Sequence, residues 1–269
     1  MSKEEPETLF KLPKKLKEIS GMEYSSKLLW AIADSGNENE LYQLNAKGEI
    51  THTLKITDAQ NIDWEDLAAD PKGNLYIGDF GNNDNKRTDL AIYAISKDSL
   101  SKNESRSVAK IRFSYPQQKE FPPKKTELWY DVEAFVVYKD HFYLFTKNRS
   151  KKFDGTTLLY RVPNRPGTHA ATLLGSYKTH ADYNNNAITG AAISPDQSKI
   201  VLLSHSKIWL FEAFTSDNFF QGKDTELSLK HYSQKEAVTF KDNSTLWIAD
   251  EKVKKSGGNV YQFSLKNLN

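Results

Sequence analysis

Five residues with oxygen-bearing side chains, Ser20, Glu65, Glu133, Thr189 and Glu236, each open a segment of similar design. The segments read SGMEYSSKLLWAIADSG from Ser20, EDLAADPKGNLYIGDFG from Glu65, EAFVVYKDHFYLFTKNR from Glu133, TGAAISPDQSKIVLLSHSK from Thr189 and EAVTFKDNSTLWIADEK from Glu236. If the five heads converge, three carboxylates and two hydroxyls share one place. Like charges a few ångströms apart disfavour joint ionisation. The set then needs shared protons on raised pKa values, a bridging Lys or Arg, or a bound cation. Oxygen ligands without His or Cys suit a hard cation. Ca2+ takes about 6–8 oxygens and tolerates a loose ring, whereas Mg2+ wants a tight octahedron.

The elements that would bring these heads together are legible as repeats. After each head comes a short apolar strand, then a turn of Ser, Asp, Lys, Gly or Asn, then a second strand with a large apolar pair such as Leu29-Trp30, Tyr76-Ile77 or Trp247-Ile248. A third strand follows in LYQL, LAIYAI, LLYRV, IWLF and NVYQF, and a more variable fourth in EITHTLKI, VAKIRFSY and ATLLGSYKTH. Four short antiparallel strands, repeated, predict an all-β chain folded as a β-propeller. The heads lie 45, 68, 56 and 47 residues apart, and the two long intervals hold extra loop at 117–125 and 181–186. Five units fill the chain. The last stops after its third strand, and the segment from Leu9 to Leu16 is placed to supply its outer strand and close the ring. Five four-stranded blades are therefore expected, with six as the alternative. Residues 1–8 are expected to be a disordered segment ahead of a single domain spanning 9–269.

Composition narrows the function classes. The chain has 269 residues, no Cys, two Met and 12% aromatic residues. Disulfides and thiolate metal sites are excluded. The net charge of +2 comes from scattered Lys and Arg, not from a basic face, so nucleic acid is not an expected partner. No apolar run approaches the ~20 residues of a helical membrane span. The polar opening MSKEEPET carries no signal-peptide pattern. An extracytoplasmic site, periplasmic, lipid-anchored or secreted, is expected, with a signal or anchor segment preceding this opening. A cytoplasmic protein is equally compatible with the lack of Cys. A monomer is expected.

In a propeller the first strand of each blade lines the central channel, so Ser20, Glu65, Glu133, Thr189 and Glu236 should form a ring around one axis. Glu65 would point down the channel, flanked by Asp63 and Asp66, while Trp64 packs between blades. The second strand of a blade ends on the face where the first begins. The residues after it should therefore surround the channel mouth. These are Asp34 with Asn37, Asp79 with Asn82 and Asn83, Lys147-Asn148-Arg149, His205, and Asp250 with Glu251. Lys147 and Arg149 suit an anionic group such as phosphate, with Asn83, Asp250 and Glu251 as further ligand contacts. His205, Asp34 or Asp79 suits a general base or a water-orienting group.

The order Ser, Glu, Glu, Thr, Glu resembles the channel ring of the five-bladed calcium-activated nucleotidases (apyrases), in which the order is Ser, Glu, Glu, Ser, Glu. The motifs SGMEY, EDLA, EAFV, TGAAI and EAVTF carry the resemblance, and Thr189 keeps the oxygen. The pattern DWEDLA…YIGDFGNN…R is also similar to that of bacterial secreted or lipid-anchored propeller proteins. The resemblance implies the fold and one channel Ca2+ more than it implies an activity. Two functions are carried forward. One is a metal-dependent hydrolase of phosphorylated small molecules. The other is a non-catalytic propeller with a structural Ca2+ whose mouth binds a small ligand, a glycan or a protein.

Overall fold

The computed structural model describes residues 5–266. Its strands fall into five small sheets, each built around a run of strands that follow one another along the chain. The inner strands are Ile19–Ser25, Trp64–Ala69, Asp131–Tyr138, Gly190–Ile193 and Lys235–Asp242. Each pairs antiparallel with the strand that follows it, Leu28–Ala33, Leu75–Asp79, His141–Lys147, Lys199–Leu203 and Thr245–Asp250 respectively. The five inner strands contact one another in ring order, the fifth meeting the first. This is a five-bladed β-propeller, and the six-bladed alternative is excluded.

Side-chain alternation explains why the blades stack. Successive residues of a strand face opposite sides. In the second strand of blade one, Trp30 and Ile32 join Trp64, Leu67 and Ile77 of blade two, while Leu29, Ala31 and Ala33 join Ala237, Ala249 and Val260 of blade five. The same division produces three further apolar clusters between blades two and three, three and four, and four and five. Five interfaces for five blades close the core into a ring.

Closure uses both ends of the chain. The strand Glu7–Lys11 pairs antiparallel with Asn259–Ser264 and completes blade five. It begins two residues before the expected Leu9, because Glu7 and Thr8 pair with Gln262 and Tyr261. Lys14–Leu16 is a 3-10 turn, not strand. Glu7 and Thr8 are thus ordered strand, unlike the expected disordered 1–8, while residues 1–4 of that segment lie outside the described residues. Two blades depart from four strands. Glu104–Ser105, from the chain of blade two, runs parallel to the outer strand Ile50–Ile56 of blade one. Gly167–Ala170, from the chain of blade three, runs parallel to Ala109–Ser114 of blade two.

The channel-lining heads are produced by one recurring device. The ladder between first and second strands shifts register between Ile19 and Gly21, Trp64 and Asp66, Val132 and Ala134, and Lys235 and Ala237. The residue passed over in each case is Ser20, Glu65, Glu133 or Glu236. A bulge leaves one residue unpaired and re-aims its side chain. Thr189 reaches the same level without a bulge, just ahead of its strand, with its N–H donating to Leu203 O at 2.9 Å.

Candidate functional site

All five heads line one cavity of ≈ 300 Å3 at the channel mouth, together with Asp34, Asn83, Lys147, Arg149, Gln234 and Glu251. They do not act alike. The Ser20 hydroxyl donates to Trp64 O at 2.7 Å, and the Thr189 hydroxyl donates to Lys235 O at 2.6 Å. In both cases the acceptor is the carbonyl just before the next blade's glutamate, so these hydroxyls tie neighbouring inner strands together. Lys147 Nζ donates to Glu133 Oε2 at 2.5 Å, and Arg149 donates to Glu133 Oε1. Arg149 also donates to Asp131 Oδ2 at 2.6 Å and to the Tyr183 hydroxyl at 2.8 Å. Glu236 Oε1 lies 3.0 Å from His205 Nε2.

Glu65 is left over. It is 8% exposed, and among the described residues no hydrogen bond or ion pair reaches its carboxylate. Asp34, Asp63 and Glu65 each bring a carboxylate oxygen within 4.8 Å of the other two, as do Glu65, Asp131 and Glu133. The second trio has Arg149 and Lys147 against it. The first forms no ion pair among the described residues, and Arg87 acts on it only at a distance, through Asp63. Room for it depends on Gly81, where a Cβ would collide with Glu65 Oε1 and Asp63 Oδ2.

The electrostatics follow from this arrangement. Five carboxyl groups of the lining face two cationic side chains, an excess of three. Burial pushes Glu65 well above the ordinary carboxylate range, and repulsion from Glu133, Asp131, Asp34 and Asp63 adds to it. Burial and the neighbouring Asp34 raise Asp63 to about 6. Burial with Glu236 and Asp34 raises Glu251 to about 8. Glu236 goes the other way: against burial, Lys147 and His205 hold its carboxyl below the usual value. Lys147 is held protonated, Glu133 and Glu236 outweighing its burial.

The second set of expected residues divides. Asp34, Asn83, Lys147, Arg149 and Glu251 reach the cavity. His205 does not line it; its ring stands behind Glu236, with Nδ1 3.4 Å from the Tyr232 hydroxyl. Asp79 is fully buried, accepts from the Asp63 N–H at 3.1 Å and pairs with Arg87 at 3.0 Å. Asp250 is turned into its own blade, accepting from the Asn259 N–H and the Tyr261 hydroxyl, each at 2.8 Å. Asp66 also leaves the channel mouth: its carboxylate accepts from the Leu67 and Phe135 N–H groups at 2.8 and 2.9 Å, linking blades two and three. Lys147 and Arg149, expected to meet a ligand anion, both hold Glu133, and both line the cavity.

Asp131 and Gln234 were not singled out by sequence, and Tyr183 fell in an interval taken as extra loop. A signal existed for two of them. Asp63, Asp131 and Gln234 each stand two residues ahead of a glutamate head, the spacing that keeps side chains on one side of a strand.

The fold and site define a class, a five-bladed β-propeller with an acidic cavity at one channel mouth. Solved structures similar to this chain share its fold. The nidogen/laminin complex matches at 15% identity over 92% of this chain and 76% of the other, with a TM-score of 0.51. A PQQ-bound aldose sugar dehydrogenase from Streptomyces coelicolor matches at 8% identity over 96% of each chain, with a TM-score of 0.55. A gluconolactonase from Xanthomonas campestris matches at 10% identity over 91% and 71%, with a TM-score of 0.49. At these identities the likeness is one of fold. No family model matches the sequence, and no curated protein matches it either.

Proposed function

We propose that the mouth cavity binds a hard divalent cation, Ca2+, on its Asp34–Asp63–Glu65 side, and that the occupied site receives the phosphate of a small phosphorylated molecule. The observation that carries this reading is Glu65, a buried carboxylate without a hydrogen-bond or ion-pair partner among the described residues, in a cavity with three more carboxyls than cations. The donor set is oxygen only, which suits Ca2+ better than a softer metal. This side of the cavity uses Glu65 of the expected ring together with Asp34 and Asp63. Ser20 and Thr189 spend their protons on backbone carbonyls, which leaves their oxygen lone pairs open to a cation. Glu133 already has Lys147 and Arg149.

A bound cation supplies charge neutralisation at phosphate oxygens. The chain supplies the rest. Lys147 lines the cavity, Asn83 is exposed at the rim, and Gln234 offers an amide. Glu251, pushed up to about 8 and free of side-chain hydrogen bonds among the described residues, is mostly protonated at neutral pH and is the carboxyl suited to give a proton to a leaving oxygen. A purely binding site for the same ligand is the second reading. It is favoured by the commitment of His205 and Asp79 to internal partners, which removes two of three expected bases.

Calorimetric titration of chelator-treated protein with Ca2+ and then Mg2+ tests the site. One Ca2+ per chain is expected, with a higher melting temperature. Glu65→Gln should weaken binding at least about tenfold, or ~1.4 kcal/mol. Wild-type affinity in Glu65→Gln, or no cation bound at millimolar concentration, would sink the proposal. Phosphate release from nucleotides and sugar phosphates, with and without Ca2+, then separates hydrolysis from binding.

A further inference from the structure

The opposite end of the channel holds a second cavity, of ≈ 350 Å3, to which all five blades contribute. Its character differs from that of the acidic mouth. Ala68, Phe135, Val137, Ala192 and Phe240 give it an apolar wall. Three charged side chains line it, Glu23, Asp70 and Lys241. Two are already engaged. The Asp70 carboxylate accepts from the Lys72 and Asn74 N–H groups, from the Asn74 amide and from the Tyr76 hydroxyl, all within 3.0 Å. Lys241 Nζ lies over the rings of Tyr24 and Trp247, 5.8 and 4.9 Å from their centroids. Glu23 is the exception. Among the described residues its carboxylate has one hydrogen bond, a long one, with the Thr239 hydroxyl 3.4 Å from Oε1. Thr239 Oγ1 already accepts from the Tyr24 N–H at 3.0 Å. The nearest buried carboxyl, Asp66, is occupied by two backbone N–H groups and cannot relieve Glu23.

A concave pocket that sets an apolar wall beside a few convergent polar groups is the usual form of a small-molecule site, and here Glu23 is the polar group left with the least engagement. An under-coordinated carboxyl on an apolar wall is complementary to an ion that brings a compact charge and an apolar body together. We infer that this cavity binds a small primary ammonium with a compact aliphatic body, the ammonium seated on the Glu23 carboxyl and the body against the apolar wall. An anionic ligand is disfavoured, since it would meet Glu23 and find Lys241 stacked at the rim. The inference is independent of the cation site at the other mouth.

The proton balance gives a signature. Burial raises Glu23 to about 8, with the Thr239 hydrogen bond acting the other way. The charged groups around it are Asp66, Asp70 and Lys241, and the ammonium is protonated in solution at neutral pH. Binding near pH 7 therefore forms an ammonium–carboxylate pair and releases the Glu23 proton to the buffer. Near pH 9 the carboxyl is already ionised and no proton is released. Affinity should thus rise with pH between these values.

The test is calorimetry of the full chain with cyclohexylammonium chloride, and with cyclohexanol as the uncharged control, in buffers of different ionisation enthalpy. Saturable binding of the ammonium is expected, with close to one proton released at pH 7 and close to none at pH 9. The alcohol should bind at least about tenfold more weakly. Glu23→Gln, which keeps shape, and Glu23→Leu, which keeps volume, should both lose the ammonium by at least about tenfold while melting as cooperatively as the parent. Equal affinity for ammonium and alcohol overturns the inference. So does undiminished ammonium binding in a folded Glu23 variant, or no saturation at either pH.

Discussion

Glu65 and Glu133 show how far residue type alone determines role. Both are buried glutamates at equivalent places, yet one faces Lys147 and Arg149 and the other faces carboxylates. Sequence made both legible as channel heads. It did not reveal their partners, because Lys147 and Arg149 reach Glu133 only through the pairing of His141–Lys147 with Asp131–Tyr138. The same holds for His205, whose ring supports Glu236 without entering the cavity. A pH prediction belongs at this scale. Glu251 and Glu23 are raised to about 8 from an ordinary value of 4.5. A carboxyl raised in the folded state favours folding while protonated, and that contribution is lost as pH climbs through the folded pKa. The melting temperature of chelator-treated protein should therefore fall between about pH 5 and 8.5. Glu23→Gln should flatten part of this slope, as should Glu251→Gln. A melt series across that window, with and without Ca2+, measures both effects, and Ca2+ should offset much of the fall.

Among the elements, the bulges at Ser20, Glu65, Glu133 and Glu236 do most to build the mouth. They were hidden in the sequence, since one extra residue in a strand leaves no mark on composition. The turns were easier, because Ser, Asp, Lys, Gly and Asn punctuate every segment. The short parallel strands Glu104–Ser105 and Gly167–Ala170 were missed: two and four residues are too few to show alternation. The GDFGNN stretch takes on a definite role. Arg87 donates to Gly81 O at 2.9 Å and pairs with Asp79, while the Asn82 N–H donates to Asp131 Oδ1 at 2.7 Å. It is a clamp that fixes the wall of the cavity between blades two and three. Arg87→Ala should cost about 3 kcal/mol by stranding Asp79, read by denaturant unfolding. Gly81→Ala should cost about 1–3 kcal/mol through overpacking. It should also weaken Ca2+ binding by displacing Glu65 and Asp63, which calorimetry would register.

For the whole molecule, five repeats and a missing last strand were enough to anticipate a ring closed by both ends. What could not be read was where closure starts, because ETLF at Glu7–Phe10 is only half apolar and its pairing partner lies some 250 residues away. Deleting the residues through Lys11 should lower stability by about 3 kcal/mol, from lost ladder hydrogen bonds and the packing of Phe10. That corresponds to roughly 6–12 °C in melting temperature. It should also promote association, since an unpaired edge invites other strands. Thermal melts and light scattering at one concentration would show both. The closing pair has a mechanical side as well. Glu7 lies opposite Gln262 and Lys11 opposite Asn259, so the two chain ends leave blade five from the same edge. Tension applied across them loads the ladder one rung at a time, as in peeling tape, and never all rungs together. The ring closed by five shared interfaces should thus open at low force, starting at the seam.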